Sequence, residues 1–149
     1  GGAAVHEASG VTALRRVGQG WRVQTASGHV DAEQVVLACG GYLAGLVPRV
    51  DVAVLPIATY VMVTEPLGPR AVEAIDTQAA VYDTRFAFDY YRLLPDTRLL
   101  WGGRISVRDR DAGSVERLLR RDLRCVFPQL DGVRVDHAWS GLMSYARHE

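Results

Sequence analysis

A chain of 149 residues is long enough for one folded core, and its 17 basic and 17 acidic side chains leave no formal net charge at pH 7. Neutrality argues against a nucleic-acid or membrane partner, since each needs a basic face. No apolar run is long enough to span a bilayer, and Gly1-Gly-Ala-Ala-Val-His-Glu7 lacks the basic start and apolar stretch of a signal peptide.

Val11–Val17 and Trp21–Thr25 read as a β-hairpin across Gly18-Gln19-Gly20, and His29–Ala32 continues the alternation. Val35–Cys39 is apolar at consecutive positions and ends on Gly40-Gly41. That pattern predicts a buried strand stopping at a tight turn, where bare backbone can approach a flat or anionic group. Val52–Thr64 is a further strand, with Pro56 implying an edge or bulge. Ala71–Ile75 reads as a helical turn. Val81-Tyr82 and Phe86–Tyr91 are short strand pieces, and Arg92–Trp101 is a hairpin across Pro95-Asp96-Thr97.

Ser114 is expected to cap the main helix, along which Val115, Leu118, Leu119, Leu123, Val126 and Phe127 recur at helical spacing until Pro128. Its arginines, Arg117, Arg120, Arg121 and Arg124, are expected on a solvated face. Val133–Tyr145 closes the chain as a long β-type run.

Cys39 and Cys125 lie far apart without metal-ligand spacing, so both are expected to be buried free thiols in a reducing cytoplasm. His6, His29, His137 and His148 form no ligand pattern, and no metal site is expected. The chain has no lysine, which excludes lysine Schiff-base chemistry within it.

Four blocks, in this order, resemble the FAD-dependent oxidoreductases of the D-amino-acid oxidase, glycine oxidase and sarcosine oxidase superfamily. They are Val5–Leu14, Gly20–Gly28 leading into Val35–Tyr42, Leu55–Leu67, and Tyr90–Arg104 with Trp139–Met143. Within the superfamily the likeness is nearest to γ-glutamylputrescine oxidase-like amine oxidases. The resemblance implies an α+β fold: a β-rich fragment of a two-domain flavoenzyme, with a Rossmann-like FAD-binding domain and a substrate sheet. Residues 1–45 correspond to part of the FAD-binding domain, and 46–149 to a mixed substrate sheet with one helix near 114–127. The family's Gly-x-Gly-x-x-Gly turn and its second glycine-containing segment match nothing here, so the chain reads as an interior piece completed by N- and C-terminal segments.

The same resemblance assigns candidate sites. Val11 matches the strand beside the adenine, and Ala38, Cys39, Gly40 and Gly41 match the turn under the dinucleotide. The bland alternatives are an ordinary strand valine and a ligand-free turn. Tyr60, Tyr91 and Trp139 are candidate walls of the substrate pocket, drawn from a set with Tyr90 and Trp101 whose default place is the core. Strand alternation obliges some of them to face each side. Arg92 and Arg104 could each meet an anionic substrate end, or lie on the surface. His148 falls near the flavin ring by analogy. Met143 stands where amino-acid-oxidising relatives carry an arginine that grips the substrate carboxylate. The resemblance therefore implies an amine substrate, oxidised at its C–N bond by hydride transfer to FAD, with dioxygen as acceptor and no catalytic side chain identified. The alternatives are a non-catalytic binding or subunit-contact module, and a dehydrogenase that uses another acceptor.

Overall fold

A computed structural model of the chain describes residues 2–146. They divide into two compact units, residues 2–55 with 144–146, and residues 56–143.

The first unit is built on a three-stranded antiparallel sheet of β1 (Val11–Val17), β2 (Gly20–Thr25) and β3 (His29–Ala32), in that order. Gly18 has φ +58, which suits the tight turn between β1 and β2. The Arg22 guanidinium donates two 2.7 Å hydrogen bonds to Asp31, its direct partner on β3. Opposite Thr25 and Gln24 the pairing skips Thr12, a bulge that turns the start of β1. After β3 the chain runs without regular structure to a 3-10 turn at Gly40–Tyr42, then to a short helix α1 (Pro48–Asp51).

Val35–Cys39 is thus not the buried strand its composition predicts. A strand exists by its ladder, and no strand among the described residues pairs with this stretch. Val36 accordingly stays open, 88% exposed, while Val35 and Cys39 are half-buried.

The second unit carries a five-stranded sheet in the order β5 (Val81–Tyr82), β6 (Tyr90–Leu93), β7 (Leu99–Ser106), β4 (Val54–Thr64) and β8 (Val135–Ala146). β5–β6, β6–β7 and β7–β4 are antiparallel. The expected β6–β7 hairpin forms, with Leu94 and Arg98 closing it and Thr97 at φ +66. Of the edge or bulge expected at Pro56, no bulge falls there in the β4–β7 pairing, which begins at Ala58; the extra residue is Arg104 on β7, between the Thr59–Ile105 and Tyr60–Gly103 pairs, at φ +62. A five-residue helix, α2 (Arg70–Ala74), fills the expected helical turn.

Helix α3 (Ala112–Val126) covers one face of this sheet with Val115, Leu119 and Leu123, spaced at i, i+4 and i+8. They enclose Ala58, Tyr60, Met62, Leu99 and Trp101 in one core. The cap of α3 is Asp111, not Ser114: its carboxylate accepts from the Ser114 N–H at 2.9 Å and from Oγ at 2.7 Å. These bonds hold the Asp111 carboxyl below the usual carboxylate range. A depressed folded pKa stabilises above the unfolded value and loses that contribution as pH falls through the folded one. Asp111→Ala is therefore expected to lower Tm at neutral pH, with the gap from wild type closing as the pH drops below 4 (about the free aspartate value). A gap unchanged by acid would mean the carboxylate is not the cap.

Arg117 and Arg120 on the outer face of α3 donate to Ser114 Oγ and Glu116, as expected of a solvated helix surface. Cys39 is half-buried, and Cys125 is exposed near the end of α3, contrary to the expectation that both are buried. Among the described residues no helix is long and apolar enough to cross a membrane.

Candidate functional site

In the first unit a cleft of about 460 Å³ opens between the sheet and the chain that follows it. Its lining includes Val11, Leu14 and Val23 from the sheet, with Leu37, Cys39 and Tyr42 opposite. The Thr12 bulge accounts for this use of β1: it breaks the alternation, so Val11 and Thr12 both reach the cleft. Gly40 at φ +54 turns the chain into the 3-10 segment, and Ala44 and Gly45, at φ +51 and +78, turn it again. Leu43–Leu46, which spans the second of these turns, supplies more of the wall.

Val11 and Cys39 thus line one cleft. Ala38, Gly40 and Gly41 belong to the same stretch but do not line it themselves. The contributions of Val35–Leu37 and Leu43–Leu46 were not legible as site residues, because a continuous apolar run signals burial, not a wall. No lining side chain is charged. The cleft therefore suits a flat uncharged ring of FAD better than its pyrophosphate, which asks for cations or a helix N-terminus.

In the second unit the question is which sheet face each side chain takes. Tyr60 is 1% exposed within the core under α3, and its hydroxyl donates to the Arg108 carbonyl at 2.6 Å. It is thus a packing residue here, and its enclosed ring offers no wall to a ligand. Tyr91 also turns to the core, its ring stacked on Trp101 at 4.8 Å and edge-on to Phe127 at 5.3 Å, although part of it borders a surface cleft. Trp139 and Met143 go the other way. Ala138 and Leu142 pack on the core, so alternation sends Trp139 and Met143 to the open face, where Trp139 is 45% exposed.

The open face carries an aromatic cluster as well. Tyr82 pairs with Tyr90 in register, and Phe88 meets both rings at 5.8 and 6.0 Å. These three, with Arg92 and Leu100, line an apolar cleft of about 220 Å³. Tyr90, opposite Gly102, lays its ring over that glycine, where any Cβ would fall within the phenol. Choosing between Tyr90 and Tyr91 from sequence amounts to choosing a register, and one residue of slip inverts the answer.

The two candidate arginines separate. Arg104, aimed by its bulge, donates two hydrogen bonds to Asp122 on α3, at 2.8 and 2.6 Å. Arg92 stands on the open face in none of the ion pairs formed by described residues. The buried carboxylate Asp89 sits against Gly103, within electrostatic reach of Asp122 and hence on the α3 side. Burial pushes its carboxyl up while a hydrogen bond from Arg85 opposes the shift. The same arginine holds Asp83 down. The Arg85 bridge clamps both ends of the 83–89 loop that presents Phe88. His148 lies outside the described residues.

The family model described as FAD dependent oxidoreductase matches residues 1–149. Gamma-glutamylputrescine oxidoreductase of Escherichia coli (strain K12) is 38% identical over 142 residues, which are 94% of this chain and 33% of that protein. A probable oxidoreductase, OrdL, of Haemophilus influenzae is 33% identical over 125 residues, 80% of this chain and 28% of the relative. The chain thus spans about a third of the length of the curated relatives it matches. Among solved structures, glycine oxidase from Geobacillus kaustophilus superposes with a TM-score of 0.74 at 22% identity, over 98% of this chain and 39% of that one. L-proline dehydrogenase from P. horikoshii does so with 0.66 at 17% identity, over 97% and 39%. At those identities the likeness is one of fold: the chain has the β-rich architecture of part of a two-domain flavoenzyme.

Proposed function

Because the chain belongs to the FAD-dependent oxidoreductase family, we propose that the whole protein oxidises an amine at its C–N bond, with dioxygen as acceptor. The observation that carries this reading is Met143, on the same open face of the substrate sheet as Trp139 and two alternations along the strand from it. A thioether cannot pair an α-carboxylate, and leaving a partly buried carboxylate unpaired costs several kcal/mol. An aromatic and a thioether instead offer apolar surface to an alkyl chain next to a neutral amine. The name of the Escherichia coli relative, which refers to an acylated diamine, supports the same class.

FAD, when bound, supplies the hydride-accepting chemistry. The backbone of Ala38, Cys39, Gly40 and Gly41, together with Val11, is proposed to hold the cofactor, with the cleft walls excluding water from its ring. Residues 1–45 are proposed as the cofactor part and 46–149 as the substrate part. Trp139 and Met143 orient the substrate.

The test is anaerobic mixing of the full-length flavoprotein with mono- and diamines and with small α-amino acids. Bleaching of the flavin's visible absorbance by amines, followed by peroxide release in air, is the expected result. Bleaching without peroxide would make it a dehydrogenase, and bleaching by α-amino acids alone would overturn the amine reading. Met143→Arg supplies the converse: kcat/KM for a small α-amino acid is expected to rise roughly 10- to 100-fold, the range of one charged hydrogen-bonding contact. Steady-state peroxide assays with both substrate classes would measure it.

A further inference from the structure

We propose that the outer face of helix α3 holds the phosphate group of a small phosphorylated molecule, at a site separate from the open sheet face and independent of the amine-oxidation reading. Arg117, Arg120, Arg121 and Arg124 line one cleft of about 230 Å³ between α3 and the 3-10 turn Pro128–Leu130 that follows it. At 3.6 residues per turn, these four positions fall within an arc of about 100°. That arc lies opposite Val115 and Leu119, which pack on the sheet. A solvated helix face ordinarily mixes signs along such a row. Here every arginine has like-charged neighbours three or four residues away, an arrangement that opposes the helix unless an anion sits among them.

The chain does little to neutralise this row. From residue 117 to residue 130 the one acidic side chain is Asp122. It turns inward, is buried, and is held by Arg104. Arg120 pairs with Glu116 at 2.9 Å, and Arg117 donates to the neutral Ser114 hydroxyl at 3.0 Å. Arg121 and Arg124 enter none of the ion pairs formed by described residues. Asp131, in the cleft wall, accepts from the Gly132 N–H at 3.1 Å and pairs with none of the arginines. Arg124 stands in the last turn and complements the helix dipole there, whereas Arg117 and Arg121 lie too far from that end to do so.

Against four guanidiniums stand the carboxylates of Glu116 and Asp131, so two positive charges remain over the cleft. A phosphate monoester, with a charge of about −1.5 to −2 at pH 7, balances them. Three guanidinium forks without a carboxylate partner also match the three terminal oxygens of that group better than the two of a carboxylate. Leu123 and Leu130, both buried, give the cleft an apolar floor. Its volume falls below the range of drug-sized pockets, about 300–1,000 Å³, which restricts the ligand to a phosphate on a compact organic body. The neutral charge balance of the chain argues against a nucleic-acid backbone as the source.

The test is isothermal titration calorimetry of the full-length flavoprotein, its cofactor bound, against phenyl phosphate, inorganic phosphate and benzoate. Phenyl phosphate is expected to bind at one site per chain, more weakly as salt is added. Its Kd is expected to be weaker by roughly tenfold or more in Arg121→Gln/Arg124→Gln, and benzoate to bind roughly tenfold more weakly than phenyl phosphate. Neither arginine holds a carboxylate of the chain, so the variant should keep the wild-type flavin spectrum and Tm, which separates lost affinity from lost fold. Inorganic phosphate that matches phenyl phosphate identifies the free ion as the ligand, and weaker binding of the ion identifies an ester. A Kd unchanged in the variant, benzoate as tight as phenyl phosphate, or no binding at millimolar concentration overturns the site. Failure of every amine to bleach the flavin would sink amine oxidation and leave this result standing.

Discussion

Replacing Trp101 by alanine is expected to destabilise the second unit by about 3–5 kcal/mol, the range for deleting a large buried aromatic. Trp101 has no exposed surface, stacks on Tyr91 within 5° of parallel, and meets Phe127 edge-on at 6.1 Å. Removing it opens a cavity that strands on either side cannot collapse into without breaking their ladders. Yet its indole N–H is buried without a hydrogen-bond partner among the described residues. An unsatisfied buried donor costs about 1–3 kcal/mol, so Trp101→Phe, which loses volume and the orphan donor together, should lose less than half as much as Trp101→Ala. Urea unfolding of both variants in the full-length protein, followed by near-UV circular dichroism, measures the difference. Equal losses would show that the N–H has a partner in the complete enzyme and that the tryptophan is kept for that bond.

What could be read from the sequence tracks how local each signal is. The β1–β2 hairpin follows from glycines at the turn, and α3 from a helical repeat ended by Pro128, both of which act within a few residues. Val35–Cys39 failed because an all-apolar run states only that something should cover it; whether a ladder forms depends on distant backbone. The helix start was misplaced by three residues because Asp111 and Ser114 are both good caps, and only the geometry shows which one accepts. At the site, membership in the flavoenzyme family came from an ordered set of blocks, whereas the face taken by each aromatic did not. Tyr60 and Tyr91 went to the core and Tyr90 to the open face, since the bulge at Arg104 and the strand registers are decided by pairing across the sheet. The two arginines that sequence left equivalent were separated by a single carboxylate, Asp122.

Gly102 should be the least replaceable position of the open face. Its hydrogen lies against the end of the Tyr90 ring, so an alanine methyl would overlap the phenol and force the ring off the sheet or the strands apart. Overpacking of this kind costs about 1–3 kcal/mol, and here it would also break the contact of Tyr90 with Phe88. Gly102→Ala is therefore expected to lower Tm and, by lifting Tyr90 from the cleft floor, to raise KM for the proposed amine substrate more than it lowers kcat. Steric conflict with one side chain predicts strong coupling: Tyr90→Ala should absorb most of the penalty, leaving the double variant little worse than Tyr90→Ala alone. The cycle should give about 1–2 kcal/mol of interaction energy. Were the two losses simply to add, glycine would be needed for its backbone and not for the ring above it. That outcome is disfavoured because Gly102 pairs in regular register with Tyr90 and Val61 and is absent from the glycines at positive φ.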